Sequence, residues 1–493
     1  MPSTETEPVS NPPADSNPPA EKPGFSSRHL LALVALLWTV ALNPIAGLLA
    51  GNSQAEVAVH FQTTQIAWFT LGSALLGTFL TPFAMKAAAM YGKKRVMIVA
   101  TTVGLLGDAI AAFATDYSTL IAGRVIAGAY GATVFIAYAL ARDIFPRRLV
   151  GTASGVLAAS IGLVGLGGPF LSAWLIDHHG FHGALWFIVV STAVCLLLQL
   201  LCVPESPVRE ASRRMDWIGG LLLGGGLSAI VYGIGEGAAW GWTSGKTLTW
   251  IGLGALAVLL FLPYESRAAD PLVPLSLVKR RRVWTVFLAA SVGAGATFAV
   301  GTVTMILTLM PHIPTISDGL GWSVTKSATV QSPISVLVIA TAVATGWLAR
   351  RVDTRILLAV GGALTTAGYI VGSQLHTEIW HFILLGLISG PGMGLVVSVL
   401  PIMVIESVAP EEQALANGSQ WLIQSVIQVI VSQLVFTVMA QDGVVMKGTQ
   451  FYLDGGFANG FLLVAGFCAL GTVLVALIPK ARRIDTVEAG QAA

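Results

Sequence analysis

LIAGRVIAGAYGA, Leu120 to Ala132, sets an arginine inside a run that stays apolar or small as far as Leu140. At 1.5 Å per residue that run is about 30 Å long, the thickness of a bilayer's hydrocarbon core. A cation at such depth costs about 2.5–3.5 kcal/mol on insertion scales, so Arg124 needs a polar cavity or a partner. The preceding apolar run, VGLLGDAIAAF, offers Asp108. A short turn at Asp116 and Tyr117 joins the two runs into a helical hairpin. Asp108 precedes that turn by as many residues as Arg124 follows it, which predicts similar depth. Two roles fit the pair: holding two helices in register, or handling an ion or a substrate.

Outward from this stretch the same pattern repeats. The chain has 493 residues, 55% hydrophobic and 11% charged, against about 25% charged in soluble domains. It reads as an all-α, polytopic membrane protein. Apolar runs of spanning length lie near 29–50, 65–85, 96–114, 118–140, 150–175, 184–203, 217–236, 248–264, 283–310, 328–349, 355–373, 380–405, 413–440 and 457–479. Those are fourteen transmembrane helices. With the N-terminus inside, 23 of the 27 Lys and Arg fall on inner segments. Only Lys246, Lys326 and Lys447 fall on outer loops, so both termini are expected in the cytoplasm.

An internal repeat divides the chain. The loop ending GKKR at Arg95 is similar to GWLARRVDTR ending at Arg355, and PRRLVGTASG at Pro146 to PEEQALANGS at Pro410. Two loop types recurring at nearly one offset imply two pseudo-symmetric six-helix bundles, at 28–205 and 283–483. An inserted helix hairpin with its linker occupies 206–282. Disordered tails are expected at 1–27 and 484–493.

These residues resemble the major facilitator superfamily, and within it the fourteen-span drug:proton antiporters, over Arg28 to Arg483. Arg124 with Gly128 and Gly131 matches the family's fourth-span motif, Ala127 standing where a glutamine is usual. The family links that arginine to proton movement. Gly168 and Pro169 resemble the antiporter motif of span five, with Ser172 and Ala173 replacing its last two glycines. MDWIGGLLLGGGLSAIVYGIGEGAAWGWTS, containing Glu236, Trp240 and Trp242, is the most specific match. Gly92, Lys93, Lys94 and Arg95 match a gating loop that has Met85 and Ala89 at its usual glycine and aspartate. Its second copy holds Gly346, Arg350, Arg351, Asp353 and Arg355. Leu37 precedes Trp38 and Thr39 where the family has an aspartate in span one. Proton coupling would therefore need another carboxylate. Asp108 is the first choice and Glu236 the second.

Span thirteen carries Asn417, Gln420, Gln424 and Gln428 on one helical face. These amides are expected to line a substrate cavity with Asn43, or to bond between helices. Asn43-Pro44 and GPGMG, Gly390 to Gly394, are places where the backbone could open at depth. Asp177, His178, His179 and His182 read as solvated loop residues, and no metal site is expected. GKT at Gly245 lacks the first glycine of a nucleotide loop, so no cofactor is implied.

The resemblance implies a secondary active transporter, not an enzyme. It would export small amphipathic molecules by proton antiport through alternating access in the bacterial inner membrane. An uptake or facilitative carrier for an anionic metabolite, and a non-transporting membrane sensor, are the alternatives. The expected partners are the lipid bilayer, a small-molecule substrate and protons; nucleic acid is not expected, and a monomer is.

Overall fold

The computed structural model describes residues 27–206, 215–268, 279–349, 351–408 and 413–479. The tails expected at either end lie outside them, apart from Ser27. The fold is predominantly helical. In chain order come α1 (Ser27–Phe61), α2 (Ala67–Tyr91), α3 (Lys93–Ala112), α4 (Tyr117–Ala127), α5 (Thr133–Ile144) and α6 (Arg147–Cys202). A one-turn helix, α7 (Trp217–Gly220), leads through a π-turn into α8 (Gly226–Trp240), followed by α9 (Gly245–Glu265). Then follow α10 (Arg281–Leu309), α11 (Val324–Leu348), α12 (Thr354–Gln374), α13 (Ile379–Ser407), α14 (Gln413–Gln441) and α15 (Asp454–Leu474). Leucines and valines such as Leu201 and Val343 point outward, three-quarters exposed, as a lipid-facing surface requires.

Thirteen segments among the described residues are long and apolar enough to cross a membrane. One of them, Val164–Cys202, has 39 residues, about twice the length of a single crossing. Gly180 divides it, with φ 65° and ψ −171°, a conformation in the left-handed half of φ space that suits only glycine. The first arm of α6 runs alongside α1 in the same direction. Gly168 meets Leu48, Asn52 donates to Ser172 Oγ at 2.9 Å, and Gly180 meets Glu56. The second arm runs back. Phe181 stacks near His60, while Ser191 and Cys195 face Trp38 and Thr39. The runs expected at 150–175 and 184–203 are these two arms.

The backbone does not open at either of the two places where the sequence would allow it. α1 is continuous through Asn43 and Pro44, and α13 through Gly390 to Gly394. Neighbouring helices and side chains accommodate the missing proline N–H groups without unwinding the chain.

Corresponding helices pack in corresponding ways. α1 lies against α6 as α10 lies against α14 and α15, and α3 packs on α4 as α12 packs on α13. The core differs between the two ends of the bundle. At the end carrying the described chain ends, here the near end, each half has its own core. Leu36, Met97, Leu140 and Leu157 form one, and Val283, Phe287, Val399 and Met403 the other. At the far end a single core joins both halves, with Val57, Phe69, Leu120 and Phe181 packed with Val303, Val435, Phe457 and Phe461.

Two polar latches seal that end. Asp177, at the end of the first arm of α6, accepts from the backbone N–H of Val324 and Thr325 at 3.0 and 2.9 Å, and from the Thr325 hydroxyl. A hairpin, β3 (Gly443–Met446) paired with β4 (Thr449–Tyr452), turns through Lys447 and Gly448, both at positive φ. Its Thr449 hydroxyl donates to Ala58 O of α1 at 3.2 Å. A smaller ribbon, β1 (His312–Ile313) with β2 (Ser317–Asp318), lies beside it. The inserted hairpin leans on both halves. Glu236 accepts from Trp68 Nε1 at 2.9 Å, and Gln433 of α14 donates to Gly235 O at 3.0 Å.

Candidate transport site

α3 and α4 approach until their backbones touch. A Cβ on Gly107 would sit 2.3 Å from Ala127 N, and one on Gly123 2.4 Å from Ala111 N, so no larger residue fits at either place. Each glycine is followed by a charged residue, and the close contact sets Asp108 beside Arg124 at 3.7 Å. Both side chains are only 1–2% exposed. The guanidinium lies over the Phe69 ring, 5.6 Å from its centroid, and its Nε donates to Phe69 O at 3.4 Å. Thr192, from the second arm of α6, donates to Asp108 Oδ2 at 2.8 Å. The buried Tyr130 phenol stands beside both charges.

The pair is incompletely bonded. Asp108 Oδ1 and Arg124 Nη1 make no well-formed hydrogen bond among the described residues, although the Tyr130 hydroxyl lies near both, and 3.7 Å is too long for one between them. A buried pair in this condition gains Coulomb energy without the hydrogen bonds that would offset desolvation. Such a centre can change partners or protonation at modest cost.

The other predicted residues are scattered. Gly168 and Pro169 lie on the first arm of α6, where a Cβ on Gly168 would meet Leu48 at 2.7 Å. Asn43 is exposed on α1, and one turn further a Cβ on Gly47 would meet open space. Gln420 and Gln424 are buried, 2% and 4% exposed, and bonded to each other at 3.0 Å against α10. The glutamine face is thereby reduced, as a cavity lining, to the half-buried Gln428. The side chain of Asn417 lies outside the described residues.

The two loops expected to gate bond within their own halves. Gly92, at φ 107°, packs on the Glu205 carboxylate, which accepts from Lys94 N at 3.0 Å. Lys93 pairs with Asp143, and Arg95 is exposed. In the second copy Asp353 caps α12 by accepting from Arg355 N and pairs with the Arg355 guanidinium at 2.9 Å. Arg355 also donates to Ile478 O at 3.0 Å. Arg351 stacks on Trp347, a Cβ on Gly346 would meet open space, and Arg350 lies outside the described residues. Sequence reasoning missed Thr192, Tyr130 and Phe69. No charge marks them, and only the fold brings Phe69 and Thr192 from other helices to the charged pair.

A model of the Major Facilitator Superfamily matches residues 29–432. The multidrug transporter protein MdtP of Bacillus subtilis is 21% identical over 412 residues, 82% of this chain and 74% of that protein. The tetracenomycin C resistance and export protein of Streptomyces glaucescens is 28% identical over 420 residues, 81% of this chain and 73% of its own length. Among solved structures, a POT family transporter in complex with 5-aminolevulinic acid superposes with a TM-score of 0.64 at 16% identity, covering 90% of this chain and 94% of that one. With a family match across most of its length and a multi-pass helical fold to go with it, this chain is a membrane transporter and belongs to the Major Facilitator Superfamily.

Proposed function

We propose that this transporter exports small amphipathic molecules from the bacterial cytoplasm in exchange for protons, by alternating access between two six-helix halves. The observation that carries the reading is the buried, incompletely bonded Asp108–Arg124 pair. Export is supported by the names of the relatives, one a multidrug transporter and one a resistance and export protein. The distribution of Lys and Arg supports cytoplasmic termini and an inner-membrane location. On that orientation the sealed far end faces outward, and the near end, where each half keeps its own core, faces the cytoplasm. The halves 28–205 and 283–483 rock about this closure, with the hairpin within 206–282 resting on both.

In this cycle a proton on Asp108 neutralises the carboxylate, weakens its hold on Arg124 and alters the seam between α3, α4 and α6. Alternation of that seam couples proton movement to exposure of the substrate cavity. Arg124 is too buried, and too closely covered by Phe69, to receive an anionic substrate directly. That weighs against the anion-carrier alternative.

The test is ethidium accumulation and ethidium-evoked proton release in inverted vesicles, where export from the cytoplasmic face carries ethidium inward. Wild type is expected to show both, and Asp108→Asn and Arg124→Ala to lose proton release. Proton-independent flux that survives in both variants would sink the antiport reading and leave a facilitator.

A further inference from the structure

The buried polar groups of the first half do not end at Asp108. Thr192 occupies the second arm of α6, and one turn further along that arm comes Cys195, beside which Tyr130 also stands. The Cys195 thiol contacts the Thr39 hydroxyl of α1 at 3.5 Å. Gln199, the next turn on, donates to Thr39 Oγ1 at 3.1 Å and to Cys195 Sγ at 3.3 Å. Its neighbour Leu200 offers a carbonyl that accepts from Lys94 Nζ at the near-end surface, at 3.0 Å. Thr192 to Leu200 is about 12 Å of helix. Thr39, Thr192, Cys195 and Gln199 are all at most 1% exposed.

A dry polar seam would satisfy its own atoms, and this one does not. Besides Asp108 Oδ1 and Arg124 Nη1, Ser191 Oγ and Gln199 Oε1 are buried and make no well-formed hydrogen bond among the described residues. Asp108 lies on α3, Arg124 on α4, and Ser191 and Gln199 on the second arm of α6. Buried polar atoms left over are the places that ordered water bridges.

The second half supplies an internal comparison. Thr297 of α10 contacts Cys468 of α15 at 3.6 Å, the same side-chain pair between corresponding helices. There Thr365 also bonds the thiol and the buried Tyr369 phenol stands beside it, while Phe461 and Val464 pack around them. Two halves with the same Thr–Cys contact differ in whether a charged pair and an amide continue it.

We propose that Tyr130, Thr192, Cys195, Thr39 and Gln199 form a hydrated path that carries protons between Asp108 and the near face of the first half. The proposal rests on the proton-coupling reading above. The proton hops between water and hydroxyl oxygens, each of which receives one proton and passes one on, while the Gln199 amide and the Cys195 thiol hold the water in place by hydrogen bonds. Under the antiport orientation this path delivers the proton to the cytoplasm.

Two measurements test it. In full-length protein carrying Cys202→Ala, methyl methanethiosulfonate labelling is followed by mass spectrometry. Water in the path should let Cys195 react about tenfold or more faster than Cys468 despite similar burial. Equal resistance of the two thiols overturns a hydrated path. In inverted vesicles with ethidium, Thr39→Val and Gln199→Leu should slow proton release about tenfold, the loss of one relay step. Thr39→Ser, which keeps the hydroxyl, should stay near wild type and shows that the site tolerates change. Wild-type proton release in Thr39→Val and Gln199→Leu, with loss in Asp108→Asn, overturns the path alone. Wild-type release in Asp108→Asn overturns the coupling reading, and the path's role with it.

Discussion

Asp353 shows how a single carboxylate can serve structure rather than transport. It accepts from Arg355 N at the start of α12 and pairs with the Arg355 guanidinium. The hydrogen bond from that guanidinium, ahead of all other influences, holds the Asp353 carboxyl below its usual range. A group depressed in the folded state stabilises the fold above its ordinary titration range. That contribution is lost as pH falls through the lowered value. Asp353→Ala should cost about 1 kcal/mol at neutral pH, the usual value of a helix cap. The gap between variant and wild type should narrow in acid. Thermal unfolding in detergent at pH 7 and pH 3 checks both, and a gap that widens in acid contradicts the assignment. At this scale the sequence singled out Asp108 and Arg124 correctly as neighbours in depth, because an unpaired charge in an apolar run is costly anywhere. It could not mark Thr192 or Gln199 as their associates, since a threonine or a lone amide is tolerated in many membrane helices.

Among the elements, α3 and α4 depend on having no side chain where they cross. Gly123→Val places new carbon against the Ala111 backbone, which cannot rotate away. The helices must separate, and Asp108 and Arg124 would move apart with them. The expected cost is about 1–3 kcal/mol of overpacking. It should appear as lower folded yield together with lost proton release, while Gly165→Ala, which faces open space, should be close to neutral. Fluorescence-detected size exclusion and vesicle flux separate these outcomes, and a well-folded, fully coupled Gly123→Val would contradict the close-contact account. The two arms of α6 also belong to this scale. Their apolar runs were readable in the sequence, but the position of the reversal depends on Gly180 adopting a positive φ beside Glu56. The glutamine face of α14 shows the opposite case. Its period was legible, yet which way it faces was settled by α10, whose Gly295 lets α14 approach closely.

Across the whole molecule the decisive asymmetry is between a fused far end and separate near ends. Asp177 holds the first half to the start of α11 through charge-assisted bonds, each worth more than a neutral hydrogen bond. In a Cys202→Ala background that keeps the buried Cys195 and Cys468, Asp177→Cys with Thr325→Cys should crosslink, stop efflux, and recover on reduction. Asp177→Ala should raise reagent access to a cysteine at Asn43 from the far side. Unhindered efflux in the crosslinked protein would mean that the far end need not open. Composition and hydropathy alone determined that this is a many-spanning helical membrane protein, and two recurring loop motifs divided it into related halves. Long apolar runs in water-free surroundings have one economical structure, and its periodicity is written locally. Tertiary structure alone decided which polar residues meet, which end is sealed, and which glutamines are buried. Those outcomes depend on helix-to-helix distance and rotation, which side chains far apart in the chain set jointly.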